Sequence, residues 1–354
     1  MNILHVTSGI SLSSGGPTRS VKGLCRALAS NGIDISLLVL RGKDPFENPC
    51  GVKVIRGLSN CPDLSCFDVV HLHGLWNWQL HKVAQRCQKS HVPYIVSPRG
   101  MLDPWALSVK KWKKRLAMFL YQRSDLRHAA AFHVTAALEE KSVRMQGLKQ
   151  PVISAPNGVD LPTGLPKVKV RSEGEQRTAI FLSRLHPGKG LLTLAEAWAR
   201  VKPQGWLMKV VGPDSYGHKV EVIAKLDELG IREQWKFVDM LDDVEKWKAY
   251  RTADLLVHPS VSENFGITIA EGLAAGLPAI ATKGTPWKDI EDYRCGWWVD
   301  QGVEALTEAL RTAFAETSDK LREMGARGRK LVAERYVWSA VCDKMMREYA
   351  LVRR

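Results

Sequence analysis

Short apolar runs separated by longer mixed segments set the rhythm of residues 1–160, the pattern of a parallel sheet whose crossovers are helices. The runs predict strands at 2–6, 35–40, 53–55, 69–71, 94–97, 132–134 and 152–154, each short and mostly aliphatic or β-branched. A helix is expected to open at Pro17, whose missing N–H costs nothing in a first turn, and to end near Asn31 and Gly32. Residues 161–176 turn to Pro, Gly, Lys and Glu, the composition of a linker. A second alternation follows, with strands expected at 178–182, 207–211, 235–237, 255–258 and 279–282 and helices at 189–201, 218–229, 243–252 and 265–275. The pattern is α/β: two doubly wound, Rossmann-like domains over 1–165 and 166–335, with 336–354 a terminal helix expected to cross back onto the first. Open parallel sheets bind ligands beyond the carboxyl ends of their strands, so a cleft between the domains is the expected site.

The chain has 354 residues, 45% of them hydrophobic, which is material for two cores. Lys and Arg number 51 against 37 Asp and Glu, a net charge of +14, so a disordered acidic tail, a collagen-like repeat and a disulfide miniprotein are excluded. The excess is uneven: residues 1–165 hold 21 basic against 10 acidic side chains, and residues 166–354 hold 30 against 27. Seven cysteines without a Cys-x-x-Cys pair read as reduced thiols rather than a zinc ribbon or a disulfide framework. No apolar run reaches the ~18 residues of a membrane span, and the first residues read as a strand. A cytoplasmic protein is expected, at most peripheral on the inner face of the membrane.

Four segments carry candidate chemistry. In Ser262-Glu263-Asn264-Phe265-Gly266-Ile267-Thr268-Ile269-Ala270-Glu271-Gly272 a strand-end loop runs into a helix, and a second carboxylate follows eight positions after the first. Amides of Phe265, Gly266 and Ile267 would be unpaired in the first turn and able to face a phosphate or sugar oxygen, with Glu263 and Glu271 gripping hydroxyls. The alternative is an acidic turn that complements the helix dipole and a solvated helix Glu. Arg184-Leu185-His186-Pro187-Gly188-Lys189-Gly190 follows the first strand of the same domain, where a guanidinium fork and a lysine point charge suit a diphosphate. Ser13-Ser14-Gly15-Gly16-Pro17 joins the first strand to a helix N-terminus, a backbone nest for an anion unless it is only a tight turn. In Asp68-Val69-Val70-His71-Leu72-His73-Gly74, the two histidines are expected to take opposite faces of the strand unless it has already ended, so that at most one reaches the cleft. His73, nearest the carboxyl end, is the candidate, and His71 is expected to be a satisfied core residue.

Taken together, Glu-x7-Glu at 263 and 271, Arg-x4-Lys at 184 and 189, the Gly-Gly loop, the second histidine of His71-x-His73 and Pro156-Asn157-Gly158-Val159-Asp160 resemble the retaining glycosyltransferases of family 4, which have the GT-B architecture. The resemblance covers essentially the whole chain in the family's order. It implies a nucleotide-diphosphate sugar bound mainly by the second domain, with UDP favoured. Arg184 and Lys189 would hold the diphosphate, Glu271 the ribose and Glu263 the donor sugar. Asn264, Phe265, Gly266, Ile267, Gly212 and Met240 would complete the donor pocket, Gly15 and Gly16 would close over the phosphates, and His73 would sit beside the reacting sugar. Val238-Asp239-Met240 stands where the family commonly has Gly, which leaves the base-binding edge open. Arg99, Asn157 and Thr285 are further acceptor or cleft candidates, a solvated loop arginine being the alternative at 99. The chain contains no Asp-x-Asp, so neither a metal nor any other cofactor is expected; fixed cations and helix dipoles would meet the charge of the leaving diphosphate.

The basic excess centres on Lys110, Lys111, Lys113, Lys114 and Arg115, interleaved with Trp105, Val109, Trp112, Leu116 and Phe119 at helical steps of four and three. One helix over 104–123 is expected. It lies on an anionic membrane surface, with Lys110, Lys111, Trp112, Lys113, Lys114 and Arg115 as the contact, or buries its stripe in the domain core. The two are compatible, because long lysines can serve the membrane while the stripe serves the core. Nucleic acid is not an expected partner, since no groove-reading element accompanies the charge. The implied activity is transfer of a sugar to a cell-surface glycan, lipopolysaccharide or lipid-linked acceptor; a nucleotide-sugar 2-epimerase of the same architecture is the alternative.

Overall fold

The computed structural model describes residues 1–10, 16–41, 48–161 and 174–353. The chain divides into two compact units, Met1–Gly158 with Trp338–Arg354 and Val159–Val337. In the first unit β1 (Asn2–Thr7), β2 (Asp34–Val39), β3 (Lys53–Arg56), β4 (Val69–His73), β5 (Tyr94–Ser97), β6 (Ala131–Val134) and β7 (Val152–Ser154) form one sheet in the order β3-β2-β1-β4-β5-β6-β7. Every pairing is parallel. The order reverses between β1 and β4, where an open α/β sheet gathers its ligands.

Helices seal both faces of this sheet, which is why its strands read as apolar runs. On one face Leu4, Val70, Leu72 and Phe132 pack against Leu80, Val83 and Cys87 of the helix Trp78–Lys89. On the other, Ile3, Ile35 and Ile95 meet Val21, Leu24 and Leu28 of the helix Gly16–Ser30 and Met345 and Tyr349 of the terminal helix Trp338–Val352. The last contact is close: a Cβ on Gly23 or Gly158 would fall 2.1 or 2.4 Å from the Trp338 ring.

The second unit holds β8 (Arg177–Leu182), β9 (Trp206–Val211), β10 (Trp235–Val238), β11 (Leu255–His258), β12 (Ala279–Thr282) and β13 (Gly296–Val299), all parallel, in the order β10-β9-β8-β11-β12-β13. The reversal falls between β8 and β11. Ala279–Thr282 is therefore not the last sheet strand: β13 is an edge strand whose four residues are all half-buried, so no apolar run announces it.

Residues 104–123 also depart from the expected single helix. Lys110 adopts φ 51°, a left-handed break between Pro104–Ser108 and Lys111–Ala117, and a π turn over Met118–Gln122 follows. The apolar stripe is not in the core: Trp105 is 51% exposed, Trp112 67% and Phe119 85%. All seven cysteines are free thiols. Among the described residues no helix is long and apolar enough to cross a membrane.

Alanine replacing a helical glycine normally stabilises by about 0.5–1 kcal/mol, but at Gly23 the added methyl meets the Trp338 ring. Gly23→Ala should lower the melting temperature, costing about 1–3 kcal/mol, and Trp338→Leu in the same chain should restore part of the loss. An unchanged or raised melting temperature in Gly23→Ala would contradict this packing.

Candidate functional site

At the reversal in the second unit, the chain leaves β8 through Arg184, passes one 3-10 turn over Pro187–Lys189, and enters the helix Leu191–Val201 after Gly190. Arg184 is exposed and makes no ion pair among the described residues. Lys189 is held instead: its ammonium donates to Glu263 Oε1, which also accepts from His258 Nε2 at 2.8 Å. Burial alone would push the Glu263 carboxyl up, but the Lys189 charge and the His258 hydrogen bond reverse it, to about 2. The loop beyond Glu263 is tied to its neighbours, Glu263 N to Gly284 O at 2.9 Å and Val261 N to Gly188 O at 2.9 Å. Asn264 and Phe265 lead to Gly266, which caps the helix Ile267–Ala274 in a left-handed conformation. No backbone carbonyl among the described residues accepts from the amides of Phe265, Gly266 and Ile267. The expected helix start moves from Phe265 to Ile267, and its free amides remain.

Other donor-site candidates take different positions. Glu271 is 5% exposed, and its oxygens accept from Lys246 Nζ at 2.7 Å and Tyr250 O–H at 3.2 Å, so a ribose would have to share them. Gly212 follows β9 at φ 140°, where a Cβ would lie 2.0 Å from Ser183 O, and so lets the backbone after β8 approach. Met240 is exposed. Thr285 is corrected: fully buried, its hydroxyl donates to Thr282 O at 2.7 Å and closes a turn, which leaves it unavailable to an acceptor. Gly16 begins the first helix, and Gly15 lies outside the described residues.

The first unit gathers a polar row at its own reversal. Strand side chains repeat with period two, so positions 71 and 73 share a face; the expectation that the histidines part is corrected by ring centroids 4.2 Å apart. His5 is opposite His71 and Ser97 opposite His73 in the sheet register. Their tautomers follow from the end groups. Ala155 O only accepts, so His133 Nε2 carries the hydrogen (3.0 Å) and Nδ1 accepts from the Ser97 hydroxyl (3.0 Å). Ser97 in turn accepts from His71 Nε2 (2.7 Å), and His71 Nδ1 accepts from the Tyr349 hydroxyl (2.6 Å).

A second chain starts at Arg99, which only donates: its NH2 group donates to His73 Nδ1 (3.1 Å), and His73 Nε2 donates to His5 Nδ1 (2.9 Å). Asn157, whose Oδ1 accepts from the Arg99 NH1 group at 2.8 Å, orients the guanidinium. The role assigned to His73 beside the sugar is thereby corrected: the residue is 4% exposed with both ring nitrogens spent, and Arg99 is the group it supports. Burial, with the Arg99 charge added, holds His5 and His133 at about 3 and His71 and His73 well below 6.5. Nitrogens of His5, His71 and His73 lie within 4.8 Å of one another, a spacing that suits a metal. Those of His71 and His73 and the Nδ1 of His5 are occupied by hydrogen bonds, and a guanidinium adjoins them. Sequence reasoning missed His258, Lys246, His5, Ser97, His133 and Tyr349. The usable signal was a polar residue near the carboxyl end of an otherwise apolar strand, which marks His5, Ser97, His133 and His258.

Two doubly wound units, one with a basic strand-to-helix turn beside a helix start with free amides, define a fold built to handle phosphorylated nucleotides. Residues 15–158 match the family described as glycosyl transferase 4-like domain, and residues 166–331 match glycosyl transferases group 1. The chain belongs to the group 1 glycosyltransferases. It is 30% identical to a D-inositol 3-phosphate glycosyltransferase of Segniliparus rotundus over 56% of this chain and 47% of that protein, and so spans about half of that relative. It is 26% identical to the GDP-mannose:cellobiosyl-diphosphopolyprenol alpha-mannosyltransferase of Komagataeibacter xylinus over 99% of this chain and 93% of that one. Among solved structures, sucrose-phosphate synthase from Thermosynechococcus elongatus superposes with a TM-score of 0.79 at 19% identity, covering 99% of each chain. That likeness shows the shared GT-B fold.

The Glu263 carboxyl, ordinarily near 4.5, stands near 2 in the folded unit. Its charged form therefore stabilises the fold above pH ~4.5, and the contribution is lost as the pH falls through about 2. Acid denaturation should show this directly: Glu263→Gln should flatten the pH dependence of unfolding free energy in that window by roughly 3 kcal/mol at most. Parallel wild-type and variant curves would refute the pairing with Lys189 and His258.

Proposed function

We propose that the chain transfers a hexose from a nucleotide-diphosphate sugar to a glycan or lipid-linked acceptor, with retention of configuration and without a metal. The observation that carries this reading is the second unit's strand reversal, where exposed Arg184, Lys189 and the free amides of Phe265, Gly266 and Ile267 gather. Charge that builds on a departing diphosphate is met there by groups already oriented, the guanidinium as a fork and the helix start by its dipole. Glu263 and His258 fix Lys189 before substrate binds, which lowers the reorganisation needed in the transition state. In the transfer step the acceptor oxygen bonds to the anomeric carbon from the face on which the sugar–phosphate bond breaks. The bonding electrons leave with the diphosphate, and the acceptor proton passes to the departing phosphate oxygen. The donor base is proposed from the full-length relative, named for GDP-mannose; UDP-glucose, bound in a 17%-identical structural neighbour from Anabaena, is the second donor to assay.

The acceptor is proposed to be membrane-borne. Lys110, Lys111, Lys113, Lys114 and Arg115 surround Trp112 on a segment whose large apolar side chains face solvent, a combination that suits an anionic leaflet at about 1 kcal/mol per basic residue. Replacing Lys110, Lys111, Lys113, Lys114 and Arg115 together by Gln should abolish flotation with anionic liposomes and leave neutral liposomes indifferent to the change. Equal flotation of both proteins with anionic lipid would reduce the patch to a solubility device.

Lys189→Ala should lower transfer from GDP-mannose or UDP-glucose by about 10²–10³-fold, with EDTA leaving the wild-type rate unchanged. Near-normal transfer in the variant would remove the phosphate role, and loss of activity on chelation would remove the metal-free one. Conversion of a nucleotide sugar with no acceptor present would instead favour the epimerase.

A further inference from the structure

Arg99 is a cation whose partners are all neutral. Its NH1 group donates to Asn157 Oδ1 at 2.8 Å and its NH2 group to His73 Nδ1 at 3.1 Å, while Nε is buried with no partner among the described residues. The carboxylate whose charge acts on it is Glu139. Glu139, however, spends its oxygens on Gly100 N (2.7 Å), Thr135 N (2.8 Å) and the Thr135 hydroxyl (3.1 Å), and no ion pair joins it to Arg99. No neighbour ionises to replace it. Burial keeps all four imidazoles neutral, as the tautomer chains require, and pushes the Tyr349 phenol and the Cys25 thiol well above their ordinary values. Arg99 is half-buried, and a guanidinium with a nitrogen shut off from water is normally paired; this one has no anionic partner among the described residues.

The backbone is also unusual. Arg99 adopts φ 56° and Gly100 φ 75° immediately after β5, and a side-chain-bearing residue avoids that left-handed conformation unless its surroundings impose it. The consequence is a guanidinium laid across the carboxyl ends of the strands, locked by Asn157 on one terminal nitrogen and by the His73-His5 chain on the other. The donors left over are Nε–H and the second hydrogens of the terminal nitrogens. Two neighbouring N–H groups of a guanidinium match the two oxygens of a carboxylate or phosphate.

We infer that Arg99 is the receptor for an oxyanion, a phosphate or carboxylate group, that the acceptor carries. This rests on the transferase reading. The donor's diphosphate has its own cations and amides in the second unit, which leaves the anion of Arg99 to the other substrate. His73, His5 and Asn157 are positioning residues: they hold the fork and supply no charge of their own.

The test uses the full chain with Arg184→Ala and Lys189→Ala, so that the second unit's phosphate cations are absent. Inorganic phosphate, glucuronate and UDP are added separately, and the melting temperature and the ¹⁵N shift of His73 Nδ1 are followed. Phosphate or glucuronate should raise the melting temperature and move the His73 signal saturably, because Nδ1 reports the Arg99 hydrogen bond. Arg99→Gln should abolish both responses, and without any anion it should melt at the same temperature as its parent or higher, since a half-buried charge with no anionic partner has been removed. Arg99→Lys, which keeps the charge and loses the fork, should weaken the response about tenfold.

A silent His73 signal with phosphate and glucuronate overturns the inference, as does a response that survives Arg99→Gln. If Arg99→Gln fails to fold, an Arg99→Lys response equal to the parent's overturns it equally. A response to UDP alone transfers the anion to the donor and overturns the acceptor assignment. Binding of GDP-mannose and UDP-glucose to the wild-type chain is measured alongside. Binding to neither undoes the transferase reading itself, whereas a silent His73 in a chain that binds one of them removes only the role of Arg99.

Discussion

Desolvation governs this chain. Each parallel sheet is covered by helices on both faces, so a polar side chain caught beneath them must be paired, hydrogen-bonded or neutral. The two units meet that constraint differently at the same topological place. In the second, Glu263 keeps its charge by borrowing Lys189 and His258, and the Glu271 oxygens accept from Lys246 and Tyr250. In the first, His5, His71, His73 and His133 give up charge and spend their nitrogens on one another, on Ser97, Tyr349, Arg99 and Ala155. Pairing leaves groups that can exchange partners for a substrate. Neutrality leaves a scaffold whose job is to aim the single charge that remains.

The terminal helix belongs to that scaffold. Trp338 seats against Gly23 and Gly158, and eleven residues further on Tyr349 places its hydroxyl 2.6 Å from His71. The chain's last element thus fixes the tautomer of a histidine on β4. Packing and polar satisfaction are coupled here: the same helix that buries Val341 and Met345 supplies the donor without which His71 Nδ1 would be buried and unpaired.

The strands were largely legible because sheets covered on both faces demand continuous apolar runs, and twelve such runs are visible between Asn2 and Thr282. Gly296–Val299 was not, because an edge strand exposes half its surface and needs no such run. The acidic and basic pairs at 184, 189, 263 and 271 were legible as spacing. Their partners were not: Lys246 lies on a helix between β10 and β11, and nothing local marks it as the counter-ion of Glu271. The stripe from Trp105 to Phe119 shows the limit of periodicity. Helical steps of apolar residues state that one side of a segment avoids water in some setting, and only the fold reveals that the setting is not the core. For His71 and His73 the information was present in the period of the strand, which places both on one face.

The basic excess of the first unit then separates into two kinds of charge. The lysines near Trp112 lie at the surface, where an ionic strength of ~0.15 M limits their reach to about 8 Å and each contributes little alone. Their effect is collective, and salt should weaken it. Arg99 is one charge against desolvated neighbours, where screening is poor and geometry strict. A surface patch of this kind can bring the protein to an anionic leaflet without choosing among the molecules in it. A guanidinium held by Asn157 and a fixed histidine tautomer can choose, because misplacing its anion by an ångström costs the fork one of its two bonds. The distance of each charge from water thus separates the two kinds: the lysines near Trp112 act only together and through screened attraction, and Arg99 acts singly and through geometry.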